Sequence, residues 1–282
     1  MKQSNVTAPD GTRLCTVESG ARDGLPILFI HGWSQSHLSW SRQMESSLAD
    51  HFRVVAFDLR GHGASDKPTN GYAESTTWAQ DVQAVIEALS LERPLLVGWS
   101  YGGLILNDYV RQQGEGGIAG LCYVGAATDL GVATSYPFLG STWNGLMPQE
   151  PASVAGTVFT EDAEEIAKAM RLFVRGCFAE PPSPTDEAMM LGVNLECPSR
   201  VRAALFNRAV QNDDLLPNLS VPVLVIHGTA DEVVRVETGR HIAQQVPHAR
   251  IIELPGLGHA PFWEDSEAFN RELGTFANSL RK

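Results

Sequence analysis

Positive charge is what this chain has least of. Lys and Arg together number 21 against 33 Asp and Glu over 282 residues, a formal net charge of −12 at pH 7. Nucleic acid and anionic membrane would both be repelled, so neither is expected as a partner. Long apolar runs are missing too. No stretch reaches the roughly 18 consecutive apolar residues that a spanning helix needs. The N-terminus, Met1-Lys2-Gln3-Ser4-Asn5, lacks the apolar core of a signal peptide, and a cytoplasmic location is expected. Cys15, Cys122, Cys177 and Cys197 lack metal-ligand spacing and are read as reduced, small apolar residues, with a Cys177–Cys197 bridge as the alternative. No His/Asp/Glu cluster has metal spacing, and no glycine-rich loop reads G-x-G-x-x-G or carries a Walker lysine. Neither metal nor cofactor is expected. What is left, 43% hydrophobic and 19% charged, is an ordinary globular composition, long enough for one large α/β domain or two small ones.

Within that composition one stretch stands out, Leu95-Leu96-Val97-Gly98-Trp99-Ser100-Tyr101-Gly102-Gly103. Its first three residues read as a buried strand, and Leu104 to Val110 suits a helix. A strand that becomes a helix within a few residues must turn sharply, with the serine at the apex and its hydroxyl lifted clear of both elements. Glycine on either side leaves no Cβ where strand and helix crowd together. This is a G-x-S-x-G nucleophile elbow in the strand–turn–helix setting the motif requires. A serine hydroxyl is a poor nucleophile until a base takes its proton and a third group orients that base. An acid and then a histidine should follow Ser100 in the chain.

The surrounding pattern alternates strands and helices. Asp10-Gly11 joins two short strands as a hairpin at a sheet edge. Apolar runs follow at Ile27–Ile30, Val54–Phe57, Leu95–Val97 and Leu121–Val124, with helical patterns at Trp40–Leu48 and Thr76–Leu89 between them. Strands apolar throughout and separated by helices indicate a doubly wound, mostly parallel sheet, here of eight strands. From Thr128 to Asn218 no such strand appears. Prolines and helical patterns, notably Glu161–Phe178 and Ser199–Val210, take over, as expected of a helical lid inserted after the sixth strand. The alternation resumes with Val221–Ile226, a helix Val236–Val246, a strand Arg250–Leu254 and a helix from Ser266 to Leu280. The expected organisation is core 1–127, lid 128–218 and core 219–282.

The required acid and histidine appear at successive strand ends. One strand runs into His227-Gly228-Thr229-Ala230-Asp231 and the next into Pro255-Gly256-Leu257-Gly258-His259. Loops leaving one edge of a parallel sheet can converge. Asp129, past the preceding strand, competes with Asp231. Asp231 is preferred, because the orienting acid must reach the histidine from a neighbouring strand end. His31 and His62 sit in glycine-rich turns and are read as loop hydrogen-bonders, and Glu232 as solvated.

The segments His31-Gly32-Trp33, Asp58–Gly63, Gly98–Gly103, Gly228–Asp231 and Gly258-His259-Ala260-Pro261 resemble the motif set of the α/β-hydrolase superfamily. Within it the chain is most similar to the bacterial arylesterases, metal-free haloperoxidases (perhydrolases) and α/β-fold acyl-homoserine lactonases. The resemblance implies an oxyanion hole made by the backbone N–H groups of Trp33 and Tyr101.

The expected reaction is hydrolysis of a small carboxylic ester or lactone through an acyl-serine, with Ser100 as nucleophile, His259 as base and Asp231 as orienting acid. Haloalkane dehalogenases and epoxide hydrolases use an aspartate where Ser100 stands, and plant hydroxynitrile lyases carry a lysine where Ala260 stands. Perhydrolysis, carbon–carbon bond hydrolysis (which keeps a Gly-His-Trp ending in place of Gly258-His259-Ala260) and a ligand receptor on the same scaffold are the alternatives. Tyr136, Phe138, Trp143, Met147, Phe159, Met170 and Phe173 form an apolar set in the lid that suits an acyl chain or ring and equally a core lining. A monomer or homodimer is expected.

Overall fold

The computed structural model describes residues 1–130, 139–142, 157–212 and 214–281. Among these, eight strands form one sheet: β1 (Lys2–Thr7), β2 (Arg13–Gly20), β3 (Pro26–Ile30), β4 (Arg53–Phe57), β5 (Leu95–Trp99), β6 (Gly120–Val124), β7 (Val223–Gly228) and β8 (Arg250–Leu254). Their order is β1-β2-β4-β3-β5-β6-β7-β8. The β1–β2 and β2–β4 pairs are antiparallel and the rest parallel.

Every residue of β3, β4, β5 and β6 is buried, which is why these runs read as apolar throughout. Alternate side chains go to opposite faces. Leu28, Ile30, Val55, Phe57, Leu96 and Tyr123 pack under α3 (Ser75–Ala88) and α4 (Gly102–Gln113), with α8 (Val236–Gln245) on the same side. Ile27, Phe29, Val54, Ala56, Val97 and Val124 pack under α1 (Ser41–Met44), α2 (Leu48–His51) and α10 (Ser266–Ser279). Parallel register then lines up the strand ends. Ile30 pairs with Phe57 and Gly98, Trp99 with Val124, Val124 with Ile226, and Gly228 with Leu254. The loops after β3, β5, β6, β7 and β8 therefore leave one edge together. No helix among the described residues is long and apolar enough to cross a membrane.

Between β6 and β7 lie α5 (Ala163–Gly176), α6 (Pro184–Glu196) and α7 (Ser199–Phe206). Helix α6 starts inside the Pro181-Pro182-Ser183-Pro184 cluster. The Ser183 hydroxyl accepts from Asp186 N–H at 3.1 Å and Pro184 occupies the first turn, where its missing N–H is no loss. Helix α7 stops at Phe206, short of the expected Val210, which instead forms an antiparallel bridge with Leu130. The helix expected over Trp40–Leu48 is broken as well. Ser46 donates to Gln43 O at 2.8 Å and accepts from Leu48 N–H at 3.1 Å, so its hydroxyl competes with the helical ladder. All four cysteines are buried free thiols.

Trp40 is fully buried between the sheet and α10, its ring 4.7 Å from Phe29 and 4.3 Å from Phe262, the residue three past His259. Trp40→Ala should lower unfolding free energy by about 3–5 kcal/mol, read as a shift in denaturant midpoint at constant slope.

Candidate active site

Ser100 stands at the turn between β5 and α4 with φ +54°, a left-handed conformation that a non-glycine residue holds only under constraint. The constraint is visible. Ser100 N–H donates to Val124 O at 3.0 Å, and Ser100 O accepts from Gly103 N–H at 3.0 Å and Ala127 N–H at 3.2 Å. A Cβ on Gly98 would lie 2.6 Å from Gly102 O, and one on Gly102 would lie 2.5 Å from Ile30 O. Both positions need glycine, for the reason the spacing indicates. Tyr101 is the N-cap of α4. N–H groups there have no carbonyl one turn back to bond, and they carry the positive end of the helix dipole.

The loops after β7 and β8 bring Asp231 and His259 together. Asp231 Oδ2 lies 2.8 Å from His259 Nδ1, and both side chains are buried. Asp231 Oδ1 accepts from Val233 N–H at 2.8 Å and Val234 N–H at 2.9 Å. Burial alone would raise this carboxyl, but the imidazoles of His259 and His227 outweigh it and hold the pKa at about 2. The competing acid, Asp129, accepts from Asn212 N–H at 2.7 Å through Oδ1. His259 Nε2, the nitrogen a serine hydroxyl would use, makes no hydrogen bond among the described residues.

The backbone around His259 is held from three directions. Its carbonyl accepts from Trp99 Nε1 at 2.8 Å, and Trp99 is the residue before the serine. Gly258 N–H donates to Glu264 Oε1 at 2.7 Å. Ala260 N–H donates to Cys177 O at 3.0 Å, just past α5. Glu264, in the short helix α9 (Pro261–Glu264), also accepts from Ala179 N–H at 2.8 Å through its other oxygen. Neither Trp99 nor Glu264 is distinguished by the motif pattern. The signal was the indole beside the serine and an acid one short turn after the histidine.

Residues 27–272 match the Alpha/beta hydrolase family. This chain is an α/β-hydrolase. It is 31% identical to the non-heme chloroperoxidase of Streptomyces lividans over 293 residues, covering 97% of this chain and 99% of the relative. It is also 31% identical to the bifunctional esterase/perhydrolase DCH of Acinetobacter calcoaceticus over 287 residues, covering 97% and 99%. The crystal structure of esterase RhEst1 from a Rhodococcus species superposes with a TM-score of 0.92 at 39% identity, covering 100% of both chains.

In this α/β-hydrolase the loop after β3 presses against the elbow, since a Cβ on Gly32 would come within 3.1 Å of Ser100 Cβ. The next residue, Trp33, donates Nε1–H to Arg202 O at 3.0 Å, and the Tyr101 hydroxyl donates to Leu205 O at 3.2 Å. Both side chains thus anchor the inserted helices. The Trp33 ring meets Phe173 at 5.3 Å, Phe159 at 6.3 Å and Phe206 at 6.4 Å. Phe206, at the end of a helical pattern, belongs to this aromatic wall although the sequence pattern does not single it out. Met170 is fully buried in the same apolar cluster as Trp33 and Phe173. Tyr136, Phe138, Trp143 and Met147 lie outside the described residues.

His31 and His62 hydrogen-bond within and between their loops, as expected. His31 Nδ1 donates to Gly32 O at 2.8 Å and Nε2 accepts from Leu59 N–H at 3.0 Å, while His62 Nδ1 donates to Arg60 O at 3.0 Å. Burial pushes His31 down to about 4 and His62 to about 3. Cys15, His37 and Asp58, far apart in sequence, do bring one ligand atom each within 4.8 Å of one another. They fit a metal poorly, because Asp58 already accepts from His37 N–H, His37 Nδ1 and Ala64 N–H. Burial and the Asp58 charge also hold the Cys15 thiol protonated.

A carboxyl held near 2 in the fold, against 3.8 ordinarily, stabilises the folded state above about pH 4 and loses that contribution as pH falls towards 2. The stability gap between wild type and Asp231→Asn, measured by thermal denaturation, should therefore narrow on acidification. A gap independent of pH would contradict the ionised, doubly imidazole-bonded carboxylate.

Proposed function

We propose that the protein hydrolyses small carboxylic esters or lactones through an acyl-serine. The observation that carries this reading is the pairing of a strained, glycine-flanked Ser100 with a histidine whose Nδ1 is bonded to a buried carboxylate at 2.8 Å. His259 Nε2 takes the proton of Ser100 as the hydroxyl oxygen attacks the acyl carbon. The N–H groups of Trp33 and Tyr101 stabilise the alkoxide of the tetrahedral intermediate. The imidazolium returns its proton to the leaving alcohol, and water, deprotonated by the same imidazole, releases the acid. Asp231 holds the Nδ1–H tautomer throughout and stabilises the imidazolium.

The helical insertion over 128–218 serves as the cap, with Phe159, Phe173 and Phe206 against Trp33 as the wall met by an apolar acyl or aryl group. The whole acts as a cytoplasmic enzyme on a small-molecule substrate. Perhydrolysis, in which hydrogen peroxide replaces water as the second nucleophile, is a second reading supported by the two relatives at 31% identity. Both reactions share one acyl-enzyme. A rate panel of aryl acetates, longer-chain esters and acyl-homoserine lactones, with and without peroxide, separates them.

Ser100→Ala should lower ester turnover by about a thousandfold or more without loss of fold. Turnover near the wild-type rate in that variant would overturn the reading. Asp231→Asn should lower kcat steeply by favouring the wrong imidazole tautomer, and Asp129→Asn should do much less. The reverse order would move the orienting acid to the end of β6.

A further inference from the structure

Asp231 is bonded to two histidines. Besides His259 Nδ1 at 2.8 Å, its Oδ2 lies 3.1 Å from Nε2 of His227, the penultimate residue of β7. The same Nε2 lies 2.8 Å from Val234 O. Carboxylate and carbonyl oxygens both accept, so the proton of His227 sits on Nε2 and is shared between them. The opposite nitrogen, Nδ1, has no hydrogen-bond partner among the described residues and abuts α8, where a Cβ on Gly239 would stand 2.6 Å away. His227 is fully buried and separated from the serine by Asp231 and His259, so it does not touch a substrate.

With the N–H groups of Val233 and Val234 on Oδ1, these contacts fill the roughly four acceptor positions of a carboxylate. The backbone pair fixes Oδ1, and the two imidazoles fix Oδ2. Removing His227 would leave Oδ2 with the His259 bond alone and free the carboxylate to rotate about its remaining donors. A carboxylate short of one donor is also a stronger base, and it draws the Nδ1 proton of His259 more firmly. The other titratable groups around the pair are the Cys177 thiol and Glu264 beside Asp231, and Glu253 near His227. None of them donates a hydrogen bond to Oδ2 among the described residues.

We infer that His227 is a positioning residue for the reaction: its Nε2–H aims Asp231 Oδ2 at His259 and keeps the proton between them on the imidazole. The inference rests on the acyl-serine reading, and the experiment below separates the two.

The test compares His227→Gln, whose longer amide can carry an N–H to where Nε2 lies, with His227→Asn, whose shorter amide cannot. Rates of aryl acetate hydrolysis are measured across pH, with thermal denaturation to establish folding and Ser100→Ala as control. His227→Asn should lower kcat about tenfold or more with KM within about twofold, as expected when a reacting group is misaligned and substrate contacts are kept. The acid limb of its kcat/KM profile should move to higher pH. His227→Gln should recover most of kcat and keep the wild-type limb. Equal activity and equal acid limbs in the two variants would overturn the inference, since they share polarity and differ in reach. Should His227→Asn fail to fold, the acid limb of His227→Gln, compared with wild type, decides alone, and a displaced limb overturns the proposed donor role. An active Ser100→Ala would sink the acyl-serine reading itself. An inactive Ser100→Ala beside a fully active His227→Asn would sink only the role of His227.

Discussion

The architecture depends on one steric constraint, the passage from β5 to α4 through a single left-handed serine. A non-glycine residue in that conformation costs on the order of 1–3 kcal/mol, and it persists only where its surroundings over-determine it. Here the neighbours do so. Ile30 O leaves no room beside Gly102, Val124 O holds Ser100 N–H, and β5 is buried along its whole length. The fully buried central strands supply the apolar free energy that offsets the strain.

From that edge the candidate site is assembled by convergence and held by cross-links. The histidine loop is bonded to the elbow through Trp99, to α9 through Glu264, and to the segment after α5 through Cys177 O. Local rigidity of this kind is what general-base chemistry asks for, because a misplaced imidazole loses its line to the hydroxyl. The Asp231 carboxylate is equally crowded, accepting from two backbone N–H groups and two imidazoles.

The inserted helices are tied into the same assembly. Trp33 and Tyr101, neighbours of the nucleophile in space and in chain, both donate to carbonyls of α7. Just past α7, Arg208 reaches Asp108 of α4 at 2.7 Å with both side chains buried, and it also donates to the Tyr101 hydroxyl at 3.1 Å. A buried ion pair is weak evidence for net stability, but removing one partner is strongly unfavourable. It therefore specifies where the insertion docks, on the helix that begins at the nucleophile.

What the sequence by itself determined was whatever local chemistry dictates. The elbow follows from two glycines around a serine. The parallel sheet follows from short strands apolar throughout, and the acid and histidine loops follow from their place after such strands. The break between Met44 and Leu48 and the helix end at Phe206 were not legible, because a competing Ser46 hydroxyl and a long-range bridge to Leu130 decide them. Nor could spacing show that His227 would share an oxygen with His259, that Glu264 would hold Gly258, or that Cys15, His37 and Asp58 would meet. Those are contacts between chain segments that only packing brings within hydrogen-bond distance. Directional bonds of about 3 Å depend on where whole strands and helices come to rest, and periodicity along one chain does not encode that.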